Sequence, residues 1–222
     1  MKVQYVLMLL LLMTVASCSK GNNKKNDGDN NGDTTYPRKG FGTSEEMPEG
    51  EQFKLPAGVS LIGEIKGYNE ALKEFCDHKT MKDARGSGLG VPLCIGLRNT
   101  TTQIIHVSFP SGMIFISQEH KTQHGILVQG ETVELPPGLD FYVPIMLCCM
   151  NSSLVSAGPD DKYVFGPVSS DKEIRKLCAL LENKKLDANG PIGQKLEQII
   201  WHLSDEPLRD EDRAFVLSLP NK

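Results

Sequence analysis

Residues 139–149, LDFYVPIMLCC, carry the pattern on which the reading of this chain turns. Leu139, Phe141, Val143, Ile145 and Leu147 alternate with other residues, the two-residue period of a strand buried on one face. Continued in phase, Cys149 joins the apolar set and Cys148 points to the other face. Moving outward, Val91, Leu93, Ile95 and Leu97 repeat the alternation, as do Ile105, Val107 and Phe109. Residues 113–117, 125–128 and 132–135 supply shorter strand candidates. Asn99-Thr100-Thr101, Pro110-Ser111-Gly112, Gln129-Gly130 and Pro136-Pro137-Gly138 punctuate the series, and Pro followed by Gly in the last suits a type II turn. Short strands at such intervals predict an antiparallel sandwich or barrel.

Towards the C-terminus the period lengthens. Ile174, Leu177, Cys178 and Leu181 fall at helical spacing, and Ser170 with Glu173 forms a capping box that starts a helix near Asp171. Pro191 after Asn189-Gly190 opens a second helix with Ile192, Leu196, Ile199, Ile200 and Leu203 on one face. Phe215, Val216 and Leu219 belong to a shorter third. Ahead of the strands, Tyr68, Leu72, Phe75 and Cys76 form another amphipathic stripe. The expectation is an α+β domain: an antiparallel immunoglobulin-like β-sandwich over about 91–150, with C-terminal helices over about 170–219 packed against it. The strand series resembles uncharacterised exported sandwich proteins, without a motif that would transfer a site.

The N-terminus concerns address rather than fold. Lys2 precedes an apolar run of eleven residues, Val6 to Ala16. As a helix the run would reach ~16 Å, about half a bilayer's hydrocarbon core, so it reads as a signal peptide, residues 1–17. Val15-Ala16-Ser17-Cys18 resembles the bacterial lipobox. The resemblance implies cleavage before Cys18, lipid on its thiol and amino group, and attachment to the cell envelope, most simply at the outer membrane of a Gram-negative bacterium. The following SKGNNKKNDGDNNGDTTYP has no aliphatic or aromatic residue before Tyr36, so 18–52 reads as a lipidated flexible tether and 53–222 as a single globular domain.

A net charge of −4 with both signs interspersed lacks the footprint of a nucleic-acid binder. Gly86-Ser87-Gly88-Leu89-Gly90 precedes a strand, whereas a phosphate cradle follows one, so it reads as a connector, and no cofactor is implied. With Cys18 assigned to lipid, Cys76, Cys94, Cys148, Cys149 and Cys178 remain, an odd number in an oxidising compartment. Cys149 reads as a small core hydrophobe, and Cys148 or Cys149 as a disulfide partner or a reactive thiol. His120 and His124 are spaced i,i+4 but sit between strand candidates without a third ligand, so no metal site is expected. His106 reads as a surface residue, and Asp160-Asp161 as a solvated turn.

Two functions from different classes fit. One is a non-catalytic envelope module that presents loops to a protein or glycan partner. The other is a thiol- or metal-dependent enzyme that joins Cys148 or Cys149 to His120 or His124 in one pocket. Trp201 lies off the apolar stripe of its helix. It is expected to be covered by Phe215, Val216 or Leu219 of the terminal helix, and if exposed it becomes a candidate partner contact. Cys18→Ala is expected to release the protein from the detergent-soluble membrane fraction. An acyl mass on the wild-type N-terminal peptide is the matching measurement, and an unmodified Cys18 in mature protein contradicts the assignment.

Overall fold

The computed structural model describes residues 35–187 and 190–222; the signal segment, Cys18 and the tether up to residue 34 lie outside the described residues. Eleven strands and three α-helices are found among the described residues. Three short strands come first: β1 (Gly50–Gln52), β2 (Val59–Leu61) and β3 (Ile65–Gly67). The main series is β4 (Arg85–Gly86), β5 (Val91–Asn99), β6 (Ile105–Phe109), β7 (Met113–Ser117), β8 (Gly125–Leu127), β9 (Glu131–Leu135), β10 (Asp140–Cys149) and β11 (Lys162–Ser169). The helices are α1 (Lys172–Leu181), α2 (Pro191–Asp205) and α3 (Asp210–Ser218).

The architecture corrects the immunoglobulin-like sandwich. Strands β5, β3, β11, β7, β8 and β10 pair in that order, every neighbour antiparallel, and β10 returns to β5, so six strands close into a barrel. A sandwich would leave two sheets with free edges. Here β10 joins them: its first eight residues pair with β5 and its last two with β8. Strand β2 extends the β5 edge, β4 runs parallel to β10, β1 pairs with β11, and β6 with β9 forms a separate two-stranded ribbon.

Alternation along the strands feeds two cores. Facing the barrel interior are the cross-strand partners Phe141 and Leu97, Val143 and Ile95, Ile145 and Leu93, and Leu147 and Val91, with Met113, Phe115, Leu127 and Cys149. The ribbon adds Val107, Phe109, Val133 and Leu135 to this cluster. Phe53, Phe109, Phe115 and Phe165 pack with ring centroids 5.2 to 6.4 Å apart. The alternate residues Ile114, Ile116, Ile126, Val128, Cys148 and Met150 face outward and meet the helices through Ile174, Leu177, Leu196, Ile199, Ile200, Leu203 and Val216. Leu139, expected within the β10 stripe, precedes the strand and is exposed.

Local signals set the helix ends. Asp171 caps α1, its side chain accepting from the Glu173 and Ile174 amides at 2.9 and 3.0 Å. The cap is thus Asp171 and not Ser170, and the Glu173 carboxylate accepts instead from the Leu208 amide at 2.9 Å. Pro191 occupies the first turn of α2. The stripe expected from Tyr68 to Cys76 is a 3-10 segment, Glu70–Cys76.

Residues 38–41, ahead of the domain start expected at Phe53, take part in the packing. Phe41 is buried in the helical core, and buried Arg38 donates from Nε to Asp171 at 2.9 Å and from Nη1 to the Glu206 carbonyl at 2.8 Å. The Arg38 amide also donates to the Ser204 carbonyl at 2.9 Å. This segment therefore ties the start of α1 to the end of α2. Polar composition concealed it because one Phe and one Arg do the packing. Phe41→Ala is expected to cost about 3 to 5 kcal/mol, read as a lowered urea midpoint with an unchanged slope. An unaltered midpoint would place the segment outside the fold.

Candidate functional site

The residues singled out by sequence separate in space. Cys148 is fully buried beneath the helices, and burial, with the nearby Glu197 carboxylate adding to it, pushes its thiol well up. Cys149 faces the barrel interior and its thiol is pushed up to about 11 by burial. Both thiols are therefore protonated near neutrality, and neither has the lowered pKa that makes a thiolate nucleophile. Cys178 is likewise buried and pushed up to about 12. The disulfide joins Cys76 to Cys94 instead, and Cys148 and Cys149 are free.

His120 and His124 both line a polar groove of about 650 Å³ with Glu45, Glu119, Asn151 and Ser153; neither Cys148 nor Cys149 lines it. His124 Nδ1 accepts from the Ser117 amide at 3.1 Å, and burial lowers its pKa, so the ring is neutral with its proton on Nε2. No trio of His, Cys, Asp or Glu among the described residues is arranged to hold a metal ion. His106 is exposed and lies 3.3 Å from Glu134 across the ribbon.

Trp201 corrects the expectation of a covered indole. It is 37% exposed, and its Nε1–H points to Cys149 Sγ at 3.4 Å. One turn earlier on α2, Glu197 is only 6% exposed. Its Oε1 accepts from the Leu89 and Gly90 amides at 2.8 and 2.9 Å, and its Oε2 from the Cys149 amide at 2.7 Å. The glycine-rich connector thus offers its amides to an internal carboxylate. Burial pushes the Glu197 carboxyl up while the three amides pull it back.

A second titratable cluster joins α2 to α3. Asp212 is fully buried, with Lys195 Nζ at 2.7 Å and His202 Nδ1 at 2.8 Å. Burial opposes its ionisation, but Lys195 and His202 prevail and hold its carboxyl below the usual range. His202 Nε2 lies 3.0 Å from Arg209 Nη1. Arginine offers only donors, so Nε2 accepts and the His202 proton sits on Nδ1, toward Asp212. Both ring nitrogens are occupied, and the Asp-His pair serves as a clasp between helices.

A second concavity lies elsewhere, on the outer face of β5 and β10 away from the α-helices. It is a cleft of about 320 Å³ lined by Tyr68, Cys94, Gly96 and Tyr142, with Glu64, Lys66 and Asn69 at its rim. Tyr142 pairs with Gly96, and a Cβ on Gly96 would come within 2.8 Å of the Tyr142 ring and 3.1 Å of Ile62 Cβ. A ring laid over a strand glycine covers backbone that would otherwise be bare. Tyr142 packs against Tyr68 and the Cys76–Cys94 disulfide. The Tyr68 hydroxyl donates to the Lys79 carbonyl at 2.7 Å, which fixes that wall. Its sequence signal was slight: a glycine interrupting the VPLCIGLRN alternation, and two cysteines whose pairing spacing alone does not decide.

No family model matches this chain, and no curated protein or solved structure matches it significantly.

Glu197→Gln places an amide NH₂ where three backbone N–H groups converge, leaving a buried donor unmatched. The variant is expected to lose about 1 to 3 kcal/mol of unfolding free energy at neutral pH. Because the folded carboxyl is raised, protonation stabilises the wild type as pH falls through that folded pKa, and the non-titrating Gln gains nothing. The gap between the two should widen towards acid in urea titrations; a gap that narrows would reverse the assigned direction.

Proposed function

We propose that the protein is a lipid-anchored binding module of the cell envelope, that Cys18 attaches it to the membrane, and that the Tyr68–Tyr142 cleft receives its ligand. The lipobox order at 15–18 and the polar spacer support the address. The observation that carries the binding role is the preorganisation of the cleft. Its floor is a strand glycine under an aromatic ring, and one wall is linked covalently to β5 through Cys94. A concavity held this way loses little freedom when it is filled, so contact energy appears as affinity. The buried, protonated thiols, set apart from the groove that His120 and His124 line, favour binding over thiol catalysis as its role.

Gly96→Val puts branched carbon into the floor and closes the cleft. Ligand-observed NMR screening of the full chain against a mixed saccharide and peptide library is expected to give hits that Gly96→Val removes. Tyr142→Ala, which leaves the backbone free of strain, should weaken the same hits if the valine variant fails to fold. Hits that survive both substitutions would overturn the cleft as the site.

A further inference from the structure

We infer that the occupant of this cleft is a neutral saccharide, of roughly one or two rings given the cleft's volume; the inference rests on the cleft reading above. Three observations narrow the chemistry. First, three backbone amides that line the cleft are satisfied internally. The Ile62 amide donates to the Gly96 carbonyl at 2.8 Å, Tyr68 to Pro92 at 2.8 Å, and Gly67 to Asp161 at 3.1 Å. A peptide that binds by adding a strand needs free ladder groups, and these three are spent. Recognition must therefore run through side chains and ring faces.

Second, the rim carboxylate is already paired with lysines. Glu64 lies 2.7 Å from Lys162 Nζ and 3.8 Å from Lys66 Nζ, and its carboxyl is held below the usual range first by the hydrogen bond from Lys162. A cationic ligand would have to displace two lysines from Glu64, and an anionic one would have to draw a lysine away from it. A neutral ligand meets neither cost.

Third, the lining is amphipathic in a particular order. Tyr68 is buried and spends its hydroxyl on Lys79, the half-buried Tyr142 lies over Gly96, and the acceptor Glu64, the donor Lys66 and the amide of Asn69 stand at the edge. A ligand fitting that order has an apolar face and a polar circumference. A pyranose has both, with axial C–H groups on its faces and hydroxyls around its rim. The hydroxyls can both give to Glu64 and accept from Lys66, which a purely apolar ring cannot do.

Isothermal titration of the full chain in a zwitterionic, sugar-free detergent tests the assignment with maltose, cellobiose, chitobiose, sialyllactose and a proline-rich peptide as probes. At least one neutral disaccharide is expected to bind. Tyr142→Ala should weaken it roughly tenfold or more, while Tyr142→Phe retains it, since the ring and not the hydroxyl makes the contact. Lys66→Ala should weaken it less. Binding of the peptide alone, abolished by Tyr142→Ala, would overturn the saccharide, and binding of sialyllactose alone, abolished likewise, would overturn its neutrality; both would leave the cleft standing. Saccharide binding indifferent to Tyr142→Ala would overturn the site as well. No binding by any neutral sugar would overturn the inference.

Discussion

The fold depends on strand β10 having two partners in succession. Through Leu147 it lies against β5, and from Cys148 it lies against β8, so the edge that β5 would present is taken up and the strand path closes. The change of partner requires β8 to come in tightly. Gly125 stands opposite Cys149, and a Cβ there would fall within 3.0 Å of both Leu147 and Val91. Only a residue without a side chain lets three strands meet at that corner. Closure removes the exposed backbone that makes sheet edges prone to self-association, and β2, β1 and β4 shelter parts of the remaining strand flanks.

Closure also explains why the strands carry so few polar positions. Strand β7 is buried at all five residues, because Met113 and Phe115 fill the barrel while Ile114 and Ile116 meet the helices. The same division separates adjacent cysteines: Cys148 belongs to the outer core and Cys149 to the inner. Helix α2 is registered against this layer by Glu197, which accepts from two amides of the loop before β5 and from the last residue of β10. Two further clasps, Arg38 on Asp171 and Asp212 on Lys195 and His202, fix the helices to the N-terminal segment and to one another. Each is a buried charge with a partner of opposite sign, where losing one member would leave the other uncompensated.

Much of this was legible in the chain and some could not be. Period-two alternation marked β5, β6 and β10, because a half-buried strand must alternate, and helical spacing marked all three helices. Barrel closure was not legible, because alternation reports which face is buried and says nothing about which strand lies alongside. Strand β11, KYVFGPVS, mixes exposed and buried residues around Gly166-Pro167 and shifts register between Phe165 and Val168, so its pattern is broken by the bulge itself. The segment carrying Arg38 and Phe41 reads as spacer by composition, since two anchoring residues do not move a window average. The cleft was least legible of all: it needs Gly96 beneath Tyr142 and Cys76 beside Cys94, pairings that exist only once the register of β5 and β10 is set.

The placement of the cleft follows from how the outer face of the barrel is covered. Around β7, β8 and the end of β10 the outward residues are Ile, Val, Cys and Met, and three helices bury them. Along β5 and the first part of β10 the outward residues are Cys94, Gly96, Tyr142, Pro144 and Met146, which offer no continuous aliphatic surface for a helix to dock on. That half is covered instead by the 3-10 segment Glu70–Cys76, joined to β5 by the bond from Cys76 to Cys94. A single 3-10 segment covers less than three α-helices, and Gly96 forbids a side chain that would fill the remainder. The gap is therefore a consequence of using a disulfide where the other half uses helices. The features that leave it open are the same ones that keep its walls in place.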